Sequence, residues 1–69
     1  MNEFKKGDEI IYTGATIEQI RWGNNSDPRK ILVIGKSYYI ADVEVHSQHT
    51  KLLLTGISGK FNSVSFEKL

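Results

Sequence analysis

Apolar and polar residues alternate over short stretches of this chain, and turn formers rather than long helical stripes break the alternation. DEIIYTG (Asp8 to Gly14) is rich in β-branched and aromatic residues and follows Gly7, which predicts an opening strand. In ATIEQIRW (Ala15 to Trp22), Ile17, Ile20 and Arg21 have helical spacing, yet Ile17, Gln19 and Arg21 alternate as easily with Glu18, Ile20 and Trp22 as a strand would. Eight residues between Gly14 and Gly23 favour the strand. GNNSDP (Gly23 to Pro28) contains turn formers and no apolar member, so a surface loop is expected. KILVIG then resumes apolar character.

GKSYYIADVEV (Gly35 to Val45) alternates but slips once: Tyr38 and Ile40 share one parity, Val43 and Val45 the other. A β-bulge or bend near Ala41 and Asp42 would return all four to one face, as a small barrel needs where one strand serves two sheets. The next hairpin has a register that satisfies both of its faces. With Ser47-Gln48 at the turn, His46 meets His49, Val45 meets Thr50, Glu44 meets Lys51 and Val43 meets Leu52. Val43, Val45, Thr50, Leu52 and Leu54 then face inward. His46, His49, Glu44 and Lys51 share the outer face, with Glu44 and Lys51 as a cross-strand ion pair. Ser-Gln is a poor two-residue turn, so a four-residue loop is the alternative. Ser58-Gly59 predicts a further turn, and FNSVSFEKL closes the chain with alternating Val64 and Phe66. Five short strands with almost no helix define an all-β class, a small five-stranded barrel.

GKSYYI, the strand pair after it and the terminal FNSVSFEKL resemble the closing half of SH3-like barrels among phage and prophage proteins. VHSQHTKLLLTGISGKFNSVSFE (Val45 to Glu67) is similar, more narrowly, to uncharacterised phage-type proteins with a His-Ser-x-His-Thr-Lys run. The likeness covers Gly35 to Leu69. It implies an SH3-like barrel and a phage or bacterial origin, and no reaction.

Composition narrows the function classes. Sixty-nine residues make one domain over 1–69, and with no cysteine neither a disulfide nor a thiolate metal site can staple it. Nine basic and eight acidic residues leave a net charge of +1, which gives no global pull toward phosphate backbones. MNEFKKGDE lacks the apolar core of a signal peptide, and no run is long enough to span a bilayer. A cytoplasmic protein with no membrane partner is expected, complete from its own methionine.

The candidate partner-binding residues are His46, His49, Lys51, Glu44 and Trp22. His-x-x-His gives two imidazoles where a zinc site wants at least three ligands, so no metal and no cofactor are expected. Two histidines and a lysine are the parts of a metal-free hydrolase, but such a site needs a cleft that excludes water, so the expectation is no enzyme. Trp22, before a polar loop, could be a stacking platform, but a ring that closes the core at one barrel end is the preferred reading. Tyr39 falls outward if Tyr38 points in, and Leu53 and Ile57 are the apolar residues that an exposed patch would involve. In GKFNSV, Gly59, Lys60, Asn62 and Ser63 could face an anion. A turn and a short 3₁₀ segment held by Asn62 and Ser63 is the preferred reading. The expectation is a non-catalytic binding module for a protein partner, with a nucleic acid or nucleotide as alternative and a hydrolase using His46 and His49 as the least favoured.

Overall fold

Strand β1 (Glu9–Tyr12) buries Ile10 and Tyr12 and leaves Glu9 and Ile11 half-exposed, the period of two that its sequence carries. The computed structural model describes residues 4–22, 25–47 and 49–69. After β1 come a short helix, α1 (Ile17–Arg21), and strands β2 (Ser37–Val45), β3 (Thr50–Leu54) and β4 (Ile57–Asn62). A 3₁₀ turn (Ser63–Ser65) then leads into β5 (Phe66–Lys68). The strands form one antiparallel five-stranded sheet in the order β4-β3-β2-β1-β5. The all-β, five-stranded expectation therefore holds. Among the described residues no ladder joins β4 to β5, so the hydrogen-bonded closure of a barrel is not found.

The long β2 serves two partners. Its first residues, Ser37 to Tyr39, pair with β1, and Ile40 to Val45 pair with β3. Between Ile40↔Leu54 and Asp42↔Leu53 the register shifts, leaving Ala41 as the extra residue of a bulge. That is the bend its parity slip predicts. It keeps both Ile40 and Val43 against the core, whereas Val45 lies beyond it and is 79% exposed. The inward placement expected of Val45 is corrected accordingly: the hairpin outruns the core by one residue pair.

The core draws on every strand: Ile10 and Tyr12 from β1, Ile40 from β2, Leu52 and Leu54 from β3, Phe61 from β4 and Phe66 from β5. Leu32 joins them from the long connection, and the Tyr12 and Phe66 rings meet at 5.7 Å. Burial raises the Tyr12 hydroxyl above its ordinary value.

Three expectations are corrected. Ala15 to Trp22 is not a strand: Thr16 caps α1 by accepting from Gln19 N, while the Gln19 side chain accepts from Thr16 N. This reciprocal capping box is legible as Thr16-x-x-Gln19. The apolar run after Lys30 forms turns, not a strand. Only Leu32 is buried, and Ile31, Val33 and Ile34 are exposed. The turn expected at Ser58-Gly59 lies instead at Thr55-Gly56, where Gly56 has φ +76°. Gly59, with φ +117°, sits inside β4 against Ser26, whose amide donates to Lys60 O (2.8 Å) and whose hydroxyl accepts from Lys60 N (3.1 Å).

Of the expected surface loop, Gly23 and Asn24 lie outside the described residues, and Pro28 is buried rather than on the surface. Asp27 here accepts from the Arg29 guanidinium and from Arg29 N, which together hold its carboxyl down to about 2. A depressed carboxyl stabilises the fold above its unfolded pKa, and that contribution disappears as pH falls toward the folded value. Asp27→Asn is therefore expected to flatten the loss of stability on acidification below about pH 4. Urea midpoints measured across that range for both proteins check it.

Candidate functional site

Helix α1 has only five residues, too few to persist alone, so its ends must be held from outside. Its capping box holds the start. At the other end Asn25 Nδ2 donates to the carbonyls of Gln19 and Trp22, Asn25 N donates to Ile20 O, and Asn62 Nδ2 donates to Gln19 O (3.0 Å). Asn62 is buried at the end of β4 and uses its Oδ1 to accept from Val64 N in the 3₁₀ turn. One asparagine thus ties α1 to the segment that precedes β5. The expected 3₁₀ segment after Asn62 is present, with Asn62 as its cap.

Trp22 follows α1 directly and is 59% exposed, so the reading in which it closes the core is set aside. It lines an open groove of about 210 Å³ with Gln19, His49, Thr50, Asn62, Ser63 and Val64. Val64, 58% exposed, adds a second bare apolar surface to that lining. Thr16→Ala removes the cap and is expected to cost about 1 kcal/mol. It should also loosen Trp22, visible as a red-shifted tryptophan emission in an otherwise folded protein.

The hairpin brings the two histidines to the groove's flank. His46 N donates to His49 O (2.8 Å), and Glu44↔Lys51, Val45↔Thr50 and Val43↔Leu52 pair in the expected register. Gln48 of the expected turn lies outside the described residues. The imidazoles stack with ring centres 4.7 Å apart and planes 19° from parallel. His49 lines the groove, and His46, outside its lining, reaches it through that stack.

Glu44 takes Lys60 Nζ at 2.6 Å and His46 Nε2 at 3.2 Å, and these two partners hold its carboxyl below the ordinary range, Lys60 more than His46. The ion pair expected across to Lys51 is thus made to Lys60 of β4. Lys51 stands opposite both Glu44 and Asn62 in register. Trp22 and His49 thus line the groove, His46 stacks on His49 and pairs with Glu44, and Lys51 lies opposite Glu44 in the hairpin register.

Thr50, beside the histidines and Lys51, is a lining residue that the sequence already offers for recognition. Sequence reasoning missed Gln19 and Val64 as lining residues. It also missed Lys60 as the partner of Glu44. Both signals depend on contacts between distant segments. Leu53 and Ile57, expected in an exposed patch, are half-buried. Among the described residues no group of three or more His, Asp or Glu side chains is gathered as metal ligands would be, and no helix is long and apolar enough to cross a membrane.

The molecule is thus a small all-β domain carrying an exposed tryptophan in a groove between three connections. The family model described as Bacteriophage T4 protein Y07B matches residues 11–69, and the chain belongs to that family of phage proteins. The expected phage origin is thereby supported, and the match covers more of the chain than Gly35 to Leu69. No curated protein and no solved structure matches the chain.

Proposed function

We propose that this phage protein is a non-catalytic binding module, acting in the bacterial host's cytoplasm, that docks a protein partner in the groove beside Trp22. The observation that carries the reading is an indole 59% exposed that shares the groove lining with Val64, on a residue whose backbone N–H and C=O are both hydrogen-bonded. Exposed apolar rings held in place are the residues that dominate protein recognition. A volume of about 210 Å³ is below the roughly 300–1,000 Å³ of small-molecule sites and suits side chains of a larger partner. The strand order and the 3₁₀ turn before the last strand support the SH3-like barrel architecture, whose loops and open face bind ligands.

The other classes have less behind them. A nucleic-acid surface needs cations at the site, and the groove's lining contains no lysine or arginine, while nearby Lys60 faces Glu44. A hydrolase would hold His46 and His49 across a pocket, whereas their rings lie face to face.

The test is affinity capture from infected host cells with the wild-type chain and with Trp22→Ala, followed by titration of the purified retained protein. Replacing the indole is expected to weaken that complex by at least about tenfold while the amide NMR spectrum stays folded. A partner held equally by both forms would remove the groove from consideration.

A further inference from the structure

Most large apolar side chains that reach the surface among the described residues are scattered along the chain, but Ile31, Val33 and Ile34 fall within four positions and are each more than half exposed. Single exposed apolar residues are ordinary, whereas a run of them marks a surface that is covered in use. These side chains are held outward. Leu32 is built into the core, and Pro28 O accepts from the N–H groups of both Ile31 and Leu32. The Tyr38 hydroxyl accepts from Val33 N (2.9 Å), Val33 O from Lys36 N, and Tyr12 O from Gly35 N. The N–H groups of Ile31, Leu32, Val33, Gly35 and Lys36 therefore all donate within the protein.

The charges around the run have one sign. From Pro28 to Ala41 the chain has Arg29, Lys30 and Lys36 and no acidic residue. Arg29 is paired with Asp27. Lys30 and Lys36 are exposed and form no ion pair among the described residues, and the Lys36 ammonium lies 5.8 Å from the centre of the Tyr38 ring. Protein contact patches are led by aromatic rings and arginine, with valine under-represented. The 30–36 stretch holds no ring and no guanidinium. Aliphatic side chains between lysines, on a backbone whose donors are mostly satisfied, instead match the boundary between lipid head groups and acyl chains. There an unpaired N–H is costly, and phosphates attract ammonium groups.

We propose that the connection before β2 is a membrane-contact loop, with Ile31, Val33 and Ile34 entering the acyl boundary of an anionic leaflet and Lys30 and Lys36 on its phosphates. Ile34 N and the carbonyls without a protein donor are served by the water of the head-group region, so only the side chains go deeper. The expectation of no membrane partner rested on the lack of a spanning run, which an interfacial loop does not need. The loop shares no residue with the lining of the Trp22 groove, so the two surfaces are tested separately.

The experiment mixes the full isotope-labelled chain with vesicles of phosphatidylcholine alone, or with a third of that lipid replaced by phosphatidylglycerol. Co-sedimentation measures partition, and a spin label on an acyl chain broadens the amides that approach it. Partition about tenfold stronger into the anionic vesicles, weakened by salt, with broadening centred on residues 31–36, supports the proposal. Val33→Gln with Ile34→Gln, both at exposed positions, is expected to weaken partition about tenfold or more while the amide spectrum stays folded. Lys30→Gln with Lys36→Gln is expected to remove most of the preference for anionic lipid. Absence of partition, equal partition into both kinds of vesicle, or broadening centred elsewhere overturns the proposal. Shifts at residues 31–36 that grow with protein concentration in the absence of lipid assign the run to a second copy of the chain and overturn it as well.

Discussion

Phe61→Ala is expected to leave little folded protein at room temperature. Phe61 is fully buried and lies in β4, where it pairs with the equally buried Leu52 of β3. Truncating a core phenylalanine costs about 3–5 kcal/mol, through lost transfer energy and the cavity that remains. At roughly 0.05–0.15 kcal/mol per residue, a chain of 69 residues has only about 3–10 kcal/mol to lose. No disulfide is present to restrain the unfolded chain. Phe61→Leu keeps most of the volume and should cost less than about 1.5 kcal/mol. Urea denaturation followed by circular dichroism separates the two. The leucine variant should show a cooperative transition, and the alanine variant none, or one at the first addition of urea. A cooperative transition for the alanine variant near the wild-type midpoint would mean that the core can collapse around the missing ring.

Gly59→Ala should be the most damaging change at any described glycine. Its φ of +117° lies where L side chains are strained, and a Cβ there would stand 2.8 Å from Ser26 Oγ and 3.2 Å from Phe61 Cζ. Gly56, with φ +76°, has nothing within 4 Å of the same imagined carbon. Gly56→Ala therefore measures backbone strain alone, about 1 kcal/mol, and Gly59→Ala adds a collision with both the core and the 25–28 segment, for a total of about 2–4 kcal/mol. The difference in urea midpoint between the two variants isolates the collision. Adding Ser26→Ala should restore part of it, because the nearest atom is removed, but not the strain. Equal midpoints for the two single variants would contradict this account.

How much of this was readable beforehand depends on the range of the interactions involved. The β2–β3 hairpin register followed from alternation because Glu44, Lys51, Val43 and Leu52 satisfy two faces at once, and a one-residue slip would invert them. The bulge at Ala41 announced itself as a change of parity within a single strand. Helix α1 was hidden because Ile17, Ile20 and Arg21 fit a helix while Ile17, Gln19 and Arg21 fit a strand equally well, and its far end is held by Asn62, 43 positions from Gln19. Only Thr16 and Gln19 offered a local signal.

Ile31, Val33 and Ile34 misled in the other direction. Hydrophobicity there suggests burial, but turns at both ends of the run, with Leu32 N donating to Pro28 O and Lys36 N donating to Val33 O, leave a single side chain pointing inward. The groove was hidden for the same reason as the helix. Its walls come from α1, the start of β3 and the 3₁₀ turn, and no local pattern joins them.

An open sheet has two borders, and each exposes a row of backbone groups to which a foreign strand could add. Along β4 the contact between Ser26 and both backbone groups of Lys60 occupies that row in the middle. Along β5 the strand is three residues long and exposes Glu67 and Lys68. Charge and brevity there discourage growth. The small serine beside Gly59 is therefore a stopper against polymerisation as well as a packing partner. Variants that dislodge it should form sheet-rich aggregates during folding more readily than their loss of stability alone would produce.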